Sequence, residues 1–274
     1  GRVSPLQEKQ LTTLGGNVAA LEVKGSFDDC QRMVKEVFVD AELSNGLNLT
    51  SANSINLGRL IPQAFYYMYA YYRVKSPDRP LYFCVPSGNF GNLTAGVLAW
   101  SWGLPAAGFI AATNVNDVVP EYLKSGRFTP RPSVQTYSNA MDVGNPSNFE
   151  RLSAIFRGDW KAMKGLISEE VVTDRDTLAT IARYYREKQL FIDPHTAVGC
   201  LAAERFRDRS GIDADIVTLS TAHPGKFLEV VEEATGIQPP LPPKLAEVLL
   251  LPKQAEIVGN TTGDLKDYLR RRFT

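Results

Sequence analysis

Cysteine and histidine are scarce in this chain of 274 residues. Its three cysteines, Cys30, Cys84 and Cys200, lie far apart and form no Cys-x-x-Cys pair, so we predict reduced, partly buried thiols rather than a disulfide framework. The two histidines, His195 and His223, come without a third residue at ligand spacing. We therefore predict no metal site.

Net charge and long apolar runs are also missing. Lys and Arg together number 30, as do Asp and Glu, so the formal net charge is zero and bulk electrostatics would not attract nucleic acid or a membrane surface. No apolar run is long enough for a bilayer, and no signal peptide opens the chain. We predict a cytoplasmic protein with neither nucleic-acid nor membrane partners. Gly1 in place of Met indicates a processed or truncated start.

Strands and helices alternate in the second part of the chain. Short apolar runs bounded by Pro and Gly predict buried strands, and longer periodic stretches between them predict helices. The predicted order is a strand at 81–85, a helix at 92–102, a strand at 108–112, a helix at about 116–124 and a last strand at 215–219. This order is typical of an α/β fold with a parallel sheet and crossover helices.

Further helices are predicted on both sides of this region from apolar residues at helical spacing. They span residue 28 to about 42, residues 55–75, residues 176–188 and a segment that Asp193 and Pro194 begin and that runs to about residue 207. Pro62 should kink the second of these helices or mark its start. Residues 128–148 are rich in Pro, Ser and Asn and indicate a long connection.

A glycine-rich turn, VPSGNFGNLTAG at residues 85–96, follows the first of these strands. Ligands of open parallel sheets bind at the carboxyl ends of the strands, and a loop before a helix can direct several N–H groups at a phosphate. Gly88 and Gly91 would permit a close approach and positive φ angles there. The alternative is an ordinary strand-to-helix turn with capping residues. Neither GxxxxGK[ST] nor GxGxxG is present, so nucleotide binding is not favoured.

Residues 87–92, SGNFGN, resemble the phosphate-binding loop of threonine synthases, which are pyridoxal-phosphate enzymes of the tryptophan-synthase-β-like fold, fold type II. Residues 1–16, 25–31, 53–59, 143–148 and 220–224 are similar to that family in the same order, so the resemblance covers essentially the whole chain. It implies a three-layer α/β fold with a parallel sheet. Residues 1–75 would belong to a smaller substrate-side domain and residues 76–274 to a larger cofactor-binding domain.

The resemblance also implies a site for pyridoxal 5'-phosphate and an anionic substrate. Main-chain amides of the loop would hold the cofactor phosphate, and the Thr221 hydroxyl would face the pyridine nitrogen. For Thr221 the alternative is a helix cap. The implied phosphate-loop residues are Gly88, Asn89, Phe90, Gly91 and Asn92, and the implied substrate residues are Asn53, Ser54, Asn56 and Arg59. For this second group the alternative is helix capping beside a solvated arginine.

Other polar residues have less defined roles. We expect His195 to be structural, whereas His223 and Lys226 could serve either the site or the turn that contains them. The lysine that forms the Schiff base lies in a Phe-Lys-Asp segment in this family, and none of the chain's lysines does. We therefore expect the chain to be a C-terminal portion that lacks the family's N-terminal region and that lysine.

The resemblance implies that the whole protein converts O-phospho-L-homoserine and water to L-threonine and phosphate. We expect the chain by itself to be inactive. Missing strands would leave an exposed sheet edge, through which we expect self-association. The alternatives are a related pyridoxal-phosphate lyase or dehydratase, and a non-catalytic phosphate-binding module.

Overall fold

The computed structural model describes residues 5–25, 27–54, 56–74, 76 and 78–273. Its contacts divide the chain into two compact units. Ala52–Pro240 form one unit, and described residues of 1–51 and 241–274 form the other. This division differs from the predicted boundary at residue 75, because the two ends of the chain share a unit. The assignment of a substrate side and a cofactor side stays a prediction.

The described elements follow one another in a regular order along the chain. They are α1 (Pro5–Thr12), β1 (Ala20–Val23), α2 (Phe27–Phe38), α3 (Ala41–Leu47), α4 (Leu57–Leu60), α5 (Ala64–Val74), β2 (Leu81–Pro86), α6 (Gly91–Ser101), β3 (Gly108–Thr113), α7 (Val118–Ser125), α8 (Phe149–Ile155), α9 (Trp160–Leu166), β4 (Ile167–Val171), α10 (Asp174–Lys188), α11 (Pro194–Ser210), β5 (Asp215–Thr218), α12 (Leu228–Thr235), α13 (Pro243–Leu250), β6 (Ala255–Val258) and α14 (Thr262–Phe273). Short 3₁₀ turns lie at Ile61–Gln63, Asn139–Met141 and Pro224–Phe227.

The unit formed by both ends of the chain contains a two-stranded parallel sheet. β1 pairs with β6 in a register that sets Ala20 opposite Ala255. Helix α2 packs against α14 and buries Met33 and Val37. An ion pair of 2.5 Å joins Lys266 Nζ to Asp40 Oδ2. Residues distant in sequence thus hold this unit together.

The larger unit is built on a four-stranded parallel sheet in the order β4-β3-β2-β5. Its two central strands are buried on both faces, because successive side chains enter opposite cores. Phe83 and Phe109 contribute to one core, whereas Cys84 and Ile110 contribute to the other. The apolar runs that predicted these strands therefore reflect burial on both faces.

Helices cover both faces of this sheet. On one face α6 packs with α5, whose Tyr67 is fully buried against Phe83 and Phe109. On the other face α11 contributes Val198 and Ala202 to the second core. The predicted three-layer α/β arrangement with a parallel sheet is confirmed. β5 lies at one end of the strand order, but self-association through a sheet edge stays a prediction.

Several predicted boundaries were wrong. The helix predicted to reach about residue 42 ends at Phe38, because Asp40 begins α3 and its Oδ1 accepts a hydrogen bond of 3.1 Å from Leu43 N–H. The stretch at 55–75 consists of α4, a 3₁₀ turn that contains Pro62, and α5. Ile55 and Lys75, its predicted ends, lie outside the described residues.

Strand β4 was not predicted because Ser168, Glu169 and Glu170 interrupt its apolar pattern. It occupies the end of the sheet beside β3, where polar side chains are tolerated. Within the part of the chain that the structure describes, no helix is both long and apolar enough to cross a membrane.

We predict that Gly96→Ala destabilises the protein. Its Cβ would lie 2.6 Å from the Tyr67 ring and 2.8 Å from that of Phe109, so the helical advantage of alanine would be outweighed by overpacking of about 1–3 kcal/mol. Urea unfolding measures the change. Gly165→Ala is the matched control, since nothing lies within 4 Å of its Cβ. Equal stability of the two variants would contradict the packing argument.

Candidate functional site

The glycine-rich loop joins β2 to α6 at the carboxyl edge of the sheet. Ser87 directly follows β2 and is still bonded to β3, because its N–H donates to Ala112 O at 2.8 Å. Helix α6 begins at Gly91, directly after Phe90, which has a left-handed φ of 60°. The Phe90 ring is buried in the core, so only its main chain can serve a ligand. The positive φ expected of Gly88 or Gly91 belongs to Phe90 instead.

Gly88 is needed for close packing rather than for its backbone angle. A Cβ at this position would lie 2.5 Å from Met141 Cα and 2.8 Å from Ala140 O. Such distances are too short for any side chain without displacement of the backbone. The loop is therefore pressed against the 3₁₀ turn Asn139–Met141.

A run of main-chain amides lines the loop. From Gly88 to Leu93, no N–H group donates a hydrogen bond to another described residue, and the first helical bond of this region is Thr94 N–H to Phe90 O at 3.0 Å. Consecutive unpaired amides at a helix N-terminus favour an anion through their partial positive charge. The residues present therefore fit a phosphate group.

The side chain of Asn89 joins the loop to the segment that contains Ser147. Its Oδ1 accepts hydrogen bonds from Ser147 N–H at 2.6 Å and from Ser147 Oγ–H at 2.9 Å. Asn148, whose side chain is fully buried, donates through Nδ2 to Asn89 O at 3.1 Å and to Ser54 Oγ at 2.9 Å. Asn148 thus ties the loop to the segment that carries Ser54.

The side chain of Asn92 is held by two tyrosines. Its Oδ1 accepts from Tyr66 Oη at 2.5 Å and from Tyr67 Oη at 2.6 Å. Burial raises the pKa of both hydroxyls, so they remain protonated donors. The amide oxygen of Asn92 is therefore structural, and its main-chain N–H remains for a ligand.

A cavity of about 210 Å³ lies over the loop and is lined by Ser54, Gln63 and residues 86–92. Of the four predicted substrate residues, Ser54 is the one that lines it within the described chain. Asn56 caps α4, where its Oδ1 accepts from Gly58 N–H at 2.9 Å. Arg59 donates from Nε to Ala52 O at 2.8 Å and is exposed. Asn53 Oδ1 accepts from Ser54 Oγ at 3.3 Å.

Thr221 follows β5, which pairs with β2 in parallel. The carboxyl ends of neighbouring parallel strands share one edge, so Thr221 lies at the same edge as the glycine-rich loop. Its side chain is exposed and does not line the cavity. Its role toward a ring nitrogen stays a prediction.

The two histidines lie at the start of α11 and directly before a 3₁₀ turn. His195 is 4% exposed, and its Nδ1 lies 2.9 Å from Asp193 Oδ1. His223 precedes a 3₁₀ turn, where its Nδ1 accepts from Gly225 N–H at 3.0 Å. Lys226 lies in that same turn and is half-buried.

A buried polar cluster behind the loop was not anticipated from the sequence. Asp142 accepts from Asn114 Nδ2 at 2.9 Å, from Asn116 Nδ2 at 3.1 Å and from Thr136 Oγ1 at 2.7 Å. Burial raises the Asp142 pKa. The available signal was Asn-x-Asn directly after a strand, which marks polar side chains at the sheet edge. This cluster anchors the segment against which Gly88 packs.

The cysteines are free thiols in the structure, with Cys84 buried and the others half-buried. Burial raises the pKa of all three, which keeps them protonated. Across the described ranges, no group of three His, Cys, Asp or Glu side chains could hold a metal ion.

Comparisons with known proteins agree with this geometry. The family model described as pyridoxal-phosphate dependent enzyme matches residues 1–222, and the model for the C-terminal part of threonine synthase matches residues 196–269. A threonine synthase from Haemophilus influenzae is 41% identical over 271 residues, 98% of this chain and 62% of its own length.

Solved structures extend the similarity to three dimensions. A crystal structure of threonine synthase from Escherichia coli matches with a TM-score of 0.90 and 42% identity, over 99% of this chain and 62% of that one. A pyridoxal-phosphate-bound threonine synthase from Brucella melitensis matches with a TM-score of 0.85 and 36% identity, over 99% and 63%. The chain thus spans about 62% of the length of these relatives.

These matches define an α/β protein of fold type II, in agreement with the parallel sheet. The chain belongs to the pyridoxal-phosphate-dependent enzyme family. The resemblance to threonine synthases seen in the sequence is confirmed.

We predict that Asn148→Ala lowers the free energy of unfolding by about 1–3 kcal/mol, because Ser54 Oγ and Asn89 O would each lose a buried hydrogen-bond donor. Thermal and urea unfolding measure this. Asn145→Ala, in the same segment at an exposed position, should change stability by no more than about 0.5 kcal/mol. A comparable loss of stability in Asn145→Ala would show that any substitution in this segment is destabilising. The effect could then not be assigned to the buried amide of Asn148.

Proposed function

We propose that this chain forms the phosphate-binding part of a threonine synthase, which converts O-phospho-L-homoserine and water to L-threonine and phosphate. In this conversion the C–O bond to the leaving phosphate breaks, and the oxygen of water ends on Cβ. The names of the relatives support the activity. The observation that carries the proposal is the run of unpaired amides from Gly88 to Leu93 over a cavity.

Those amides would hold the phosphate of pyridoxal 5'-phosphate. Gly88, Asn89, Phe90, Gly91 and Asn92 would contribute main-chain N–H groups, and the N-terminus of α6 would add its partial positive charge. When bound, the cofactor supplies an electron-accepting ring for chemistry at the substrate amino acid. The loop's part is to bind and orient, because its donors are fixed before the ligand arrives.

The other predicted residues would act around the ring and the substrate. Thr221 would offer a neutral hydroxyl to the ring nitrogen, a weaker electronic influence than a carboxylate would have. Ser54 would contact the substrate, since it lines the cavity beside the loop. Asn53, Asn56 and Arg59 would shape that segment, and Arg59 could reach an anion if it released Ala52 O.

The lysine that holds the cofactor covalently would lie outside this chain. No lysine lines the cavity in the part of the chain that the structure describes, and no Phe-Lys-Asp segment is present in the sequence. The chain alone would then bind but not catalyse. A protein that combines this chain with the missing segment should release phosphate from O-phospho-L-homoserine with L-threonine as the other product. Deamination of L-serine without phosphate release would contradict the proposed substrate.

We predict that Gly88→Ala weakens binding of both pyridoxal phosphate and inorganic phosphate at least about ten-fold, since its Cβ would clash with Met141 and displace the amides. Isothermal titration calorimetry measures both ligands. Gly165→Ala should leave both affinities unchanged, because its Cβ meets nothing. Unaltered phosphate affinity in Gly88→Ala would place the anion elsewhere.

A second prediction concerns covalent attachment. After incubation with pyridoxal phosphate and reduction with borohydride, peptide mass mapping should find no single lysine that carries one cofactor per chain. The physical reason is that none of the lysines that the structure describes lines the cavity. Stoichiometric labelling of one lysine would show that this chain carries its own covalent anchor.

A further inference from the structure

Asp193 is a fully buried carboxylate at the start of α11, where it caps the helix. Its Oδ1 accepts from His195 N–H at 2.9 Å, and His195 Nδ1 lies 2.9 Å from the same oxygen. Its Oδ2 accepts from the Thr196 hydroxyl in a short hydrogen bond. A helix cap needs only one or two of these contacts, so the carboxylate does more than end the helix.

One branch of these contacts runs through Thr196 to the segment after β5. Thr196 Oγ1 lies 2.9 Å from Ser220 Oγ. The single hydroxyl proton of Thr196 is committed to Asp193, so Ser220 is the donor in this bond. Ser220 directly precedes Thr221, the residue proposed to face the ring nitrogen.

The other branch runs through His195 to the segment behind the phosphate loop. Ala140 N–H donates to His195 Nε2 at 3.2 Å, which makes Nε2 an acceptor and places the ring proton on Nδ1, toward Asp193. Ala140 O is one of the atoms that a Cβ on Gly88 would strike. The His195 ring also packs against Phe227, with centroids 4.8 Å apart.

We propose that Asp193 is a positioning residue that fixes both ends of the cofactor site. Through Thr196 it orders the segment that bears Thr221, and through His195 it orders the turn against which the phosphate loop packs. A buried carboxylate that accepts from the main chain and the side chain of both His195 and Thr196 resists rotation of these groups, so both segments are ordered before a ligand binds. The identity of the ligand rests on the proposed function.

Two ligands separate the two branches. Inorganic phosphate needs only the loop, whereas pyridoxal phosphate also needs the ring side. Thr196→Val removes the bond to Ser220 and keeps the shape of the side chain. This variant should lower the affinity for pyridoxal phosphate about ten-fold, equivalent to about 1.4 kcal/mol. It should change the affinity for inorganic phosphate less than about two-fold.

Thr177→Val is the matched control for this variant. Thr177 is also buried in a helix, and its hydroxyl donates to Thr173 O at 2.9 Å, in a helix that contributes no residue to the cavity lining. It should alter neither affinity. The positioning role is overturned if Thr196→Val lowers the affinities for both ligands equally. It is also overturned if the variant leaves both affinities unchanged.

Hydrogen exchange on the unliganded chain tests the anchor itself. Asp193→Ala should speed amide exchange at residues 139–141 and at residues 219–222, whereas Asp159→Ala, which removes the cap of α9 at Ala162 N–H, should not. Unchanged exchange at both segments would refute the anchor. Should Asp193→Ala fail to fold, the Thr196→Val comparison decides.

The outcomes also separate this inference from the proposed function. A wild-type chain that binds phosphate but not pyridoxal phosphate would contradict the proposed cofactor and the positioning of its ring. The exchange experiment would still decide whether Asp193 anchors the two segments, since it needs no ligand.

Discussion

The close approach of Gly88 to Met141 is the contact on which the rest of the site depends. It brings the strand-to-helix loop against a segment more than 50 residues later in the chain, at a distance that only glycine permits. Once these two segments touch, Asn89 can reach Ser147, and Asn148 can reach both the loop and Ser54. The shape of the cavity follows from this backbone contact.

Side chains and main chain have different roles in the glycine-rich loop. The amide side chains of Asn89 and Asn92 point their oxygens at Ser147 and at two tyrosines, and so hold the loop in place. The main-chain N–H groups are thereby left for an anion. Such an arrangement fixes the donors without a charged residue in the loop, and rigid donors bind without a large ordering cost.

The sequence predicted the features that depend on local pattern. Apolar runs at 81–85 and 108–112 identified the central strands, and the glycine spacing identified the loop between β2 and α6. Features that depend on long-range contact could not be predicted in this way. The packing of Gly88 on Met141 is one, and the left-handed Phe90, held by burial of its ring, is another. Strand β4 was missed because its place at the sheet edge tolerates polar residues.

The pairing of β1 with β6 has a consequence for the order in which the protein forms. These strands are more than 230 residues apart, so their unit cannot close until β6 has left the ribosome. Ala52–Pro240, by contrast, carry all four strands of their own sheet and can collapse while synthesis continues. During that interval the apolar side chains of α2 stay exposed, because their partner helix α14 has not yet been synthesised.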